Sequence, residues 1–151
     1  MNKLREKLFE FILRRQAARK VVMPNWKNVR SVVVLYPDNS IPHIIEQIQA
    51  ADKEVVFFSL PEKKEINWLT EQPKTEMKEL LVARRYEVLI DLTQECTLTM
   101  QYMAMYLRAD FKVGRHMRND IYDLIIDTPA QSTPDYLFEQ IVRYLEMLSQ
   151  K

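Results

Sequence analysis

The sequence predicts an α/β fold, and three observations carry that prediction. Runs of branched aliphatic residues without polar alternation, SVVVLYP (31–37), EVVFFSL (54–60) and YEVLIDLT (86–93), read as strands buried on both faces, as a parallel sheet requires. Between them lie stretches whose apolar residues fall at helical spacing. The length of 151 residues, 47% apolar and 28% charged, suffices for one core without disulfide or metal staples. The architecture expected is a single Rossmann-like domain over residues 31–151, a mostly parallel sheet of four or five strands with helices on both faces. Residues 1–30 precede it as a basic amphipathic helix and linker.

That first segment holds nine Lys or Arg against Glu6 and Glu10, a net charge of +7, whereas the remaining residues hold thirteen against nineteen, a net of −6. Arm and body therefore attract. Leu4, Leu8, Phe11 and Ile12 fall at helix spacing, with Lys3, Lys7, Arg14 and Arg15 around them. Three placements suit such a helix: docked on its own domain, lying on anionic lipid, or bound to a protein partner or nucleic acid. Nucleic acid is the weakest, because no aromatic residue that could stack a base is interleaved with the cations. Glu10 breaks the apolar run from Leu8 to Leu13 and no cleavage site follows, so the segment is not a signal peptide. No stretch reaches the length of a membrane span. A cytoplasmic protein is expected, with attachment to the inner face of a membrane as an alternative.

After strand one come Asp38, Asn39 and Ser40, of which Ser40 can cap a helix that turns Ile44, Ile45, Ile48 and Ala51 inward and carries His43 in its first turn. Strand two follows, then a polar loop whose Ile66, Trp68 and Leu69 are expected to fold back onto apolar surface. Thr75 is read as the cap of a helix bearing Met77, Leu80, Leu81 and Arg84 on one side. Strand three leads into TQECTLTMQYMAMYLRAD, where no charge stands between Glu95 and Arg108, so this helix is expected to be packed all round. FKVGRH (111–116) is strand four and YDLIID (122–127) strand five. The connection between them is too short for an ordinary parallel crossover, so strand five is antiparallel, at an edge, or reached by an irregular loop. A closing helix has Thr133 as cap, Pro134 in its first turn and a stripe of Leu137, Ile141, Tyr144, Leu145 and Leu148.

Composition excludes much chemistry. The single glycine, Gly114, cannot supply a Walker loop, a dinucleotide fingerprint or a nucleophile elbow. His43 and His116 are the only histidines and no zinc-ligand spacing exists. The lone Cys96 forms no internal disulfide, fits a reducing compartment, and without a nearby base reads as an inert buried thiol. No cofactor or metal is expected.

INWL, YEVLIDLT, the helix after it, ADFKVGR and YDLIID together resemble a domain-of-unknown-function family of short bacterial proteins with a basic N-terminal helix. Residues 86–116 also resemble, more loosely, part of the N-terminal half of heptosyltransferase-type glycosyltransferases. That second likeness implies a nucleotide-sugar-binding half-domain that would need a partner or a second subunit.

Ligands of open parallel sheets bind beyond the carboxyl ends of the strands. The residues expected there are Asp38, Asn39 and Ser40 after strand one, Ser59 after strand two, Asp91 and Thr93 at strand three, and Arg115 and His116 after strand four. An acid, a guanidinium and an imidazole could hold a polar or anionic small molecule. Alternatively Asp91 and Thr93 cap the next helix while Arg115 and His116 are solvated. Without a catalytic motif, the leading expectation is a non-enzymatic binding or interaction module. The N-terminal helix and the Met-rich helix are its candidate contact surfaces for a protein partner or a second copy.

Overall fold

Five parallel strands form one sheet in the order β2-β1-β3-β4-β5. They are β1 Ser31–Leu35, β2 Glu54–Phe58, β3 Arg85–Asp91, β4 Arg108–Gly114 and β5 Leu124–Ile125. The computed structural model describes residues 3–16, 18–37, 52–59, 61–118, 120–129 and 132–148. Asp38, Asn39 and Ser40, and the helix expected to carry His43, lie outside these described residues.

The unbroken aliphatic runs are explained by two cores. Val33, Leu35 and Leu89 face one side of the sheet, while Val32, Val34, Val88 and Ile90 face the other. Against the first side pack α1 (Lys3–Arg15), α2 (Thr75–Val82) and α3 (Leu98–Tyr106). Against the second pack α4 (Pro134–Leu148) and a 3-10 turn at Trp26–Asn28. In α4 the Thr133 hydroxyl accepts from the Tyr136 amide at 3.1 Å, and Leu137, Phe138, Ile141 and Leu145 are buried. Tyr144 turns out to solvent. Charge-free α3 is buried on nearly every side, as its composition requires.

Several local expectations are corrected. Thr75 is the first residue of α2 and caps nothing; the cap position is Lys74, and only Met77 and Leu81 are buried while Leu80 is exposed. The helix after β3 ends at Tyr106, and Arg108 to Asp110 already belong to β4. Of the alternatives left open for strand five, antiparallel, at an edge or reached by an irregular loop, the first is excluded: β5 is parallel and lies at the sheet edge, with no helix or strand among the described residues of 115–123. That short path leaves β5 only two residues long, and Asp123 extends its pairing: its amide donates to Lys112 O at 2.7 Å and its carboxylate accepts from Lys112 N at 2.8 Å. Trp68 and Leu69 do not fold back onto the core but stand out in solvent.

The N-terminal helix docks on its own domain, but of the stripe read from the sequence Ile12 packs on the core and Leu8 is half-buried, while Leu4 and Phe11 face solvent. Phe9 is its buried residue, set edge-on to Tyr102 with ring centroids 4.8 Å apart, and Ile12 and Leu13 pack beside it. Burial of such a ring stabilises by about 1.5–3 kcal/mol, with about 0.5–1.5 kcal/mol more from the aromatic pair. The attraction of arm for body is realised in Arg5–Glu71 at 3.5 Å and Arg19–Asp123 at 2.7 Å. Arg19 also donates to the Ala109 and Ile121 carbonyls, and the Val22 amide to Asp110 O, so the arm covers the part of β4 that short β5 leaves open.

Candidate functional site

At the carboxyl edge of the sheet the candidate residues meet, facing inward. Asp91, the last residue of β3, is fully buried. Its Oδ1 accepts from the Thr93 amide at 2.9 Å and the Thr93 hydroxyl at 2.6 Å, and its Oδ2 accepts from the Tyr122 hydroxyl. Because Thr93 gives its proton to Asp91, its oxygen accepts from His116 Nε2 at 2.9 Å, which assigns the Nε2–H tautomer. Burial, and then the charge of Asp91, push the Tyr122 phenol well above its ordinary value, so it remains a donor. His116 is 9% exposed.

This cluster explains the chain's single glycine. A Cβ on Gly114 would lie 3.0 Å from Tyr122 Cε1 and 3.2 Å from Asp91 Cβ. The Tyr122 ring lies directly on β4 on its way to the carboxylate, and a side chain at position 114 would press on it.

Asp91 and Thr93 are therefore not the caps of the following helix. Thr97 is that cap, its hydroxyl accepting from the Met100 amide at 3.2 Å. His116 is buried, not solvated, whereas Arg115 is partly exposed. Arg115 Nη2 donates to Pro129 O at 3.1 Å, while its Nη1 and the Thr128 hydroxyl are buried without a hydrogen bond. Among the described residues no hydrogen bond or ion pair joins Arg115 to Asp91, and Ser59, half-buried beyond β2, is separated from the cluster by β1. Asp127 is exposed at the same edge, because β5 runs parallel, and takes no part in the cluster's hydrogen bonds. Cys96 is exposed, contrary to expectation, yet partial desolvation of its sulfur and the Asp91 charge push the thiol up and keep it protonated.

Two buried groups escaped sequence reasoning. Tyr122 opens YDLIIDTP just as Tyr86 opens YEVLIDLT, and its pairing with the Asp of the other segment was the unread signal. Lys112 donates to the Ala104 and Met105 carbonyls at 2.6 and 3.2 Å, at the C-terminal end of α3 where the helix dipole favours a cation. Burial lowers its amine to about 7, Arg19 adding to the shift and Asp123 opposing it. A lysine within an apolar strand run was the only sign.

Beside the cluster a crevice of about 440 Å³ opens between the ends of β1 and β3, lined by Tyr36, Pro37, Thr93, Glu95, Thr97 and Met100. The strand order reverses there, which is where doubly wound sheets hold ligands. Among the described residues no three His, Cys, Asp or Glu side chains are grouped to hold a metal, and no helix is long and apolar enough to cross a membrane.

A second surface has the opposite character. Leu4 is 75%, Phe11 55%, Trp68 80% and Leu69 60% exposed. Arg5 joins the two segments, donating from Nε to Leu69 O at 2.8 Å and from Nη2 to Trp68 O at 3.2 Å.

Residues 43–148 match the profile of a family of unknown function, DUF6913. No curated protein matches the chain, and no solved structure does.

Proposed function

The chain belongs to DUF6913, a family of unknown function, and from its site we propose that it is a non-enzymatic, cytoplasmic binding or protein-interaction module. The observation that carries this reading is the state of Asp91: fully buried, with both oxygens engaged by Thr93 and Tyr122. A general acid or base must reach its substrate's proton within hydrogen-bond distance, and a carboxylate enclosed by its own chain cannot. The cluster instead ties β3, β4 and the segment before β5 together. Contact with the outside then falls to α1 and the Trp68–Leu69 loop.

The crevice between β1 and β3 favours a second reading, a glycosyltransferase-like or nucleotide-sugar-binding half-domain completed by a partner or a second subunit. Thermal melts with nucleotides, sugar nucleotides and phosphorylated sugars separate the two. The module reading expects no shift from any of them. A melting temperature that climbs with the concentration of one such compound by mass action, and loses that response in Thr97→Val at the crevice, would replace it with the half-domain reading.

A further inference from the structure

We infer that the outer face of α1 and the Trp68–Leu69 tip form one surface that docks on an anionic lipid bilayer, α1 lying along the headgroups and the tip entering the interface. The inference rests on the module reading and names that module's partner.

At 100° per residue, Leu4 and Phe11 lie roughly 140–160° around the helix from buried Phe9, with Leu8 between them and the core. α1 thus carries two apolar faces. One is spent on Tyr102 and α3; the other points outward. Lys3, Lys7, Arg14 and Arg15 are exposed around this second face, and none of them makes an ion pair among the described residues. Arg15 lies over the Phe11 ring at 5.2 Å, while Glu10 is drawn away to Arg118 at 3.0 Å. An apolar stripe bordered by free cations is what an interfacial helix presents to anionic lipid. A helix of 13 residues is about 20 Å long, so it lies on a bilayer and does not span it.

The tip is held in a defined conformation. Asn67 Oδ1 accepts from the Leu69 and Thr70 amides at 2.9 and 3.2 Å, and Asn67 N donates to Gln72 O at 2.7 Å. Glu71 sits in the left-handed region at φ 65, a strained choice for a residue other than glycine, and its carbonyl is held by the Thr99 hydroxyl at 2.8 Å. All this order holds outward two side chains that the core does not use. Tryptophan, apolar in body and polar at Nε1, suits the membrane interface. A second copy fits the surface poorly, because it would bring four cations against four like charges. The acidic balance of residues 31–151 further favours an approach with the basic arm foremost.

The full chain is sedimented with vesicles of phosphatidylcholine alone and of phosphatidylcholine with phosphatidylserine, while tryptophan emission is recorded. Trp26 is buried, so the change reports Trp68. Binding is expected to the anionic vesicles only, weakening with salt, with a blue shift and quenching by brominated acyl chains. Lys3→Glu with Lys7→Glu should weaken binding by roughly tenfold or more. Trp68→Ser with Leu69→Ser should remove the blue shift. No sedimentation with anionic vesicles, or sedimentation without a blue shift, overturns the proposal. So does a chain that ignores vesicles and self-associates through this face; the module reading would survive that result. A sugar-nucleotide response at the crevice would overturn the module reading whatever the vesicles show.

Discussion

Two regions break the rule of apolar inside and polar outside, in opposite directions. At the carboxyl edge of the sheet an acid, a threonine, a tyrosine and a histidine are drawn inward, and each finds its partner within the chain. At the N-terminal helix and its loop, a leucine, a phenylalanine, a tryptophan and a further leucine are turned outward. A buried polar group is tolerable only when hydrogen-bonded, so the first exception is resolved internally. An exposed apolar side chain has no internal resolution. The contrast teaches that chemically suggestive residues can be structural, while residues that look like core can mark where another body binds.

The sharpest way to break the comparison is Asp91→Ala. It strands the Tyr122 hydroxyl and the Thr93 amide in a buried site, at about 1–3 kcal/mol for each unsatisfied donor. Chemical denaturation should show a loss of about 3 kcal/mol or more, against the few tenths expected of an exposed acid. A loss under about 1 kcal/mol would mean that water reaches the cluster and that Asp91 is open to a ligand after all. Gly114→Ala probes the same cluster from behind. Its methyl group would press on the Tyr122 ring and Asp91 Cβ, and the overpacking should cost about 1–3 kcal/mol in the same measurement. An unchanged midpoint would show that the ring does not bear on β4. The smallest effect belongs to the outer region, where Trp68→Ser with Leu69→Ser should leave stability within about 0.5 kcal/mol of the parent. A larger loss would place those side chains in the fold's own service and remove the contrast.

Strand composition made the sheet legible: the unbroken aliphatic runs in SVVVL and YEVLID are what strands buried on both faces of a helix-covered parallel sheet need, and EVVFF, half-buried at the edge, follows the same pattern. The caps of α4 were legible for a similar reason, Thr133 and Pro134 acting on backbone groups within their own turn. Asp91, Thr93 and His116 were legible as neighbours at one edge, because strand direction alone brings strand ends together. Their role was not, since it depends on Tyr122, whose approach runs through an irregular segment with no periodicity to read. The outward stripe of α1 was visible as a stripe, but the direction it faces was not.

By itself the sequence determined the class of fold, the order of its strands along the chain and the absence of glycine-rich phosphate loops, because these follow from local periodicity and from residue types that are present or missing. Only the tertiary structure decided that β5 runs parallel, that Asp91 turns inward to Tyr122, that Phe9 is the docked face of α1 and that Trp68 stands in solvent. Each of those outcomes is settled by which of two competing surfaces a side chain meets, and that meeting joins residues tens of positions apart, beyond the reach of any local pattern.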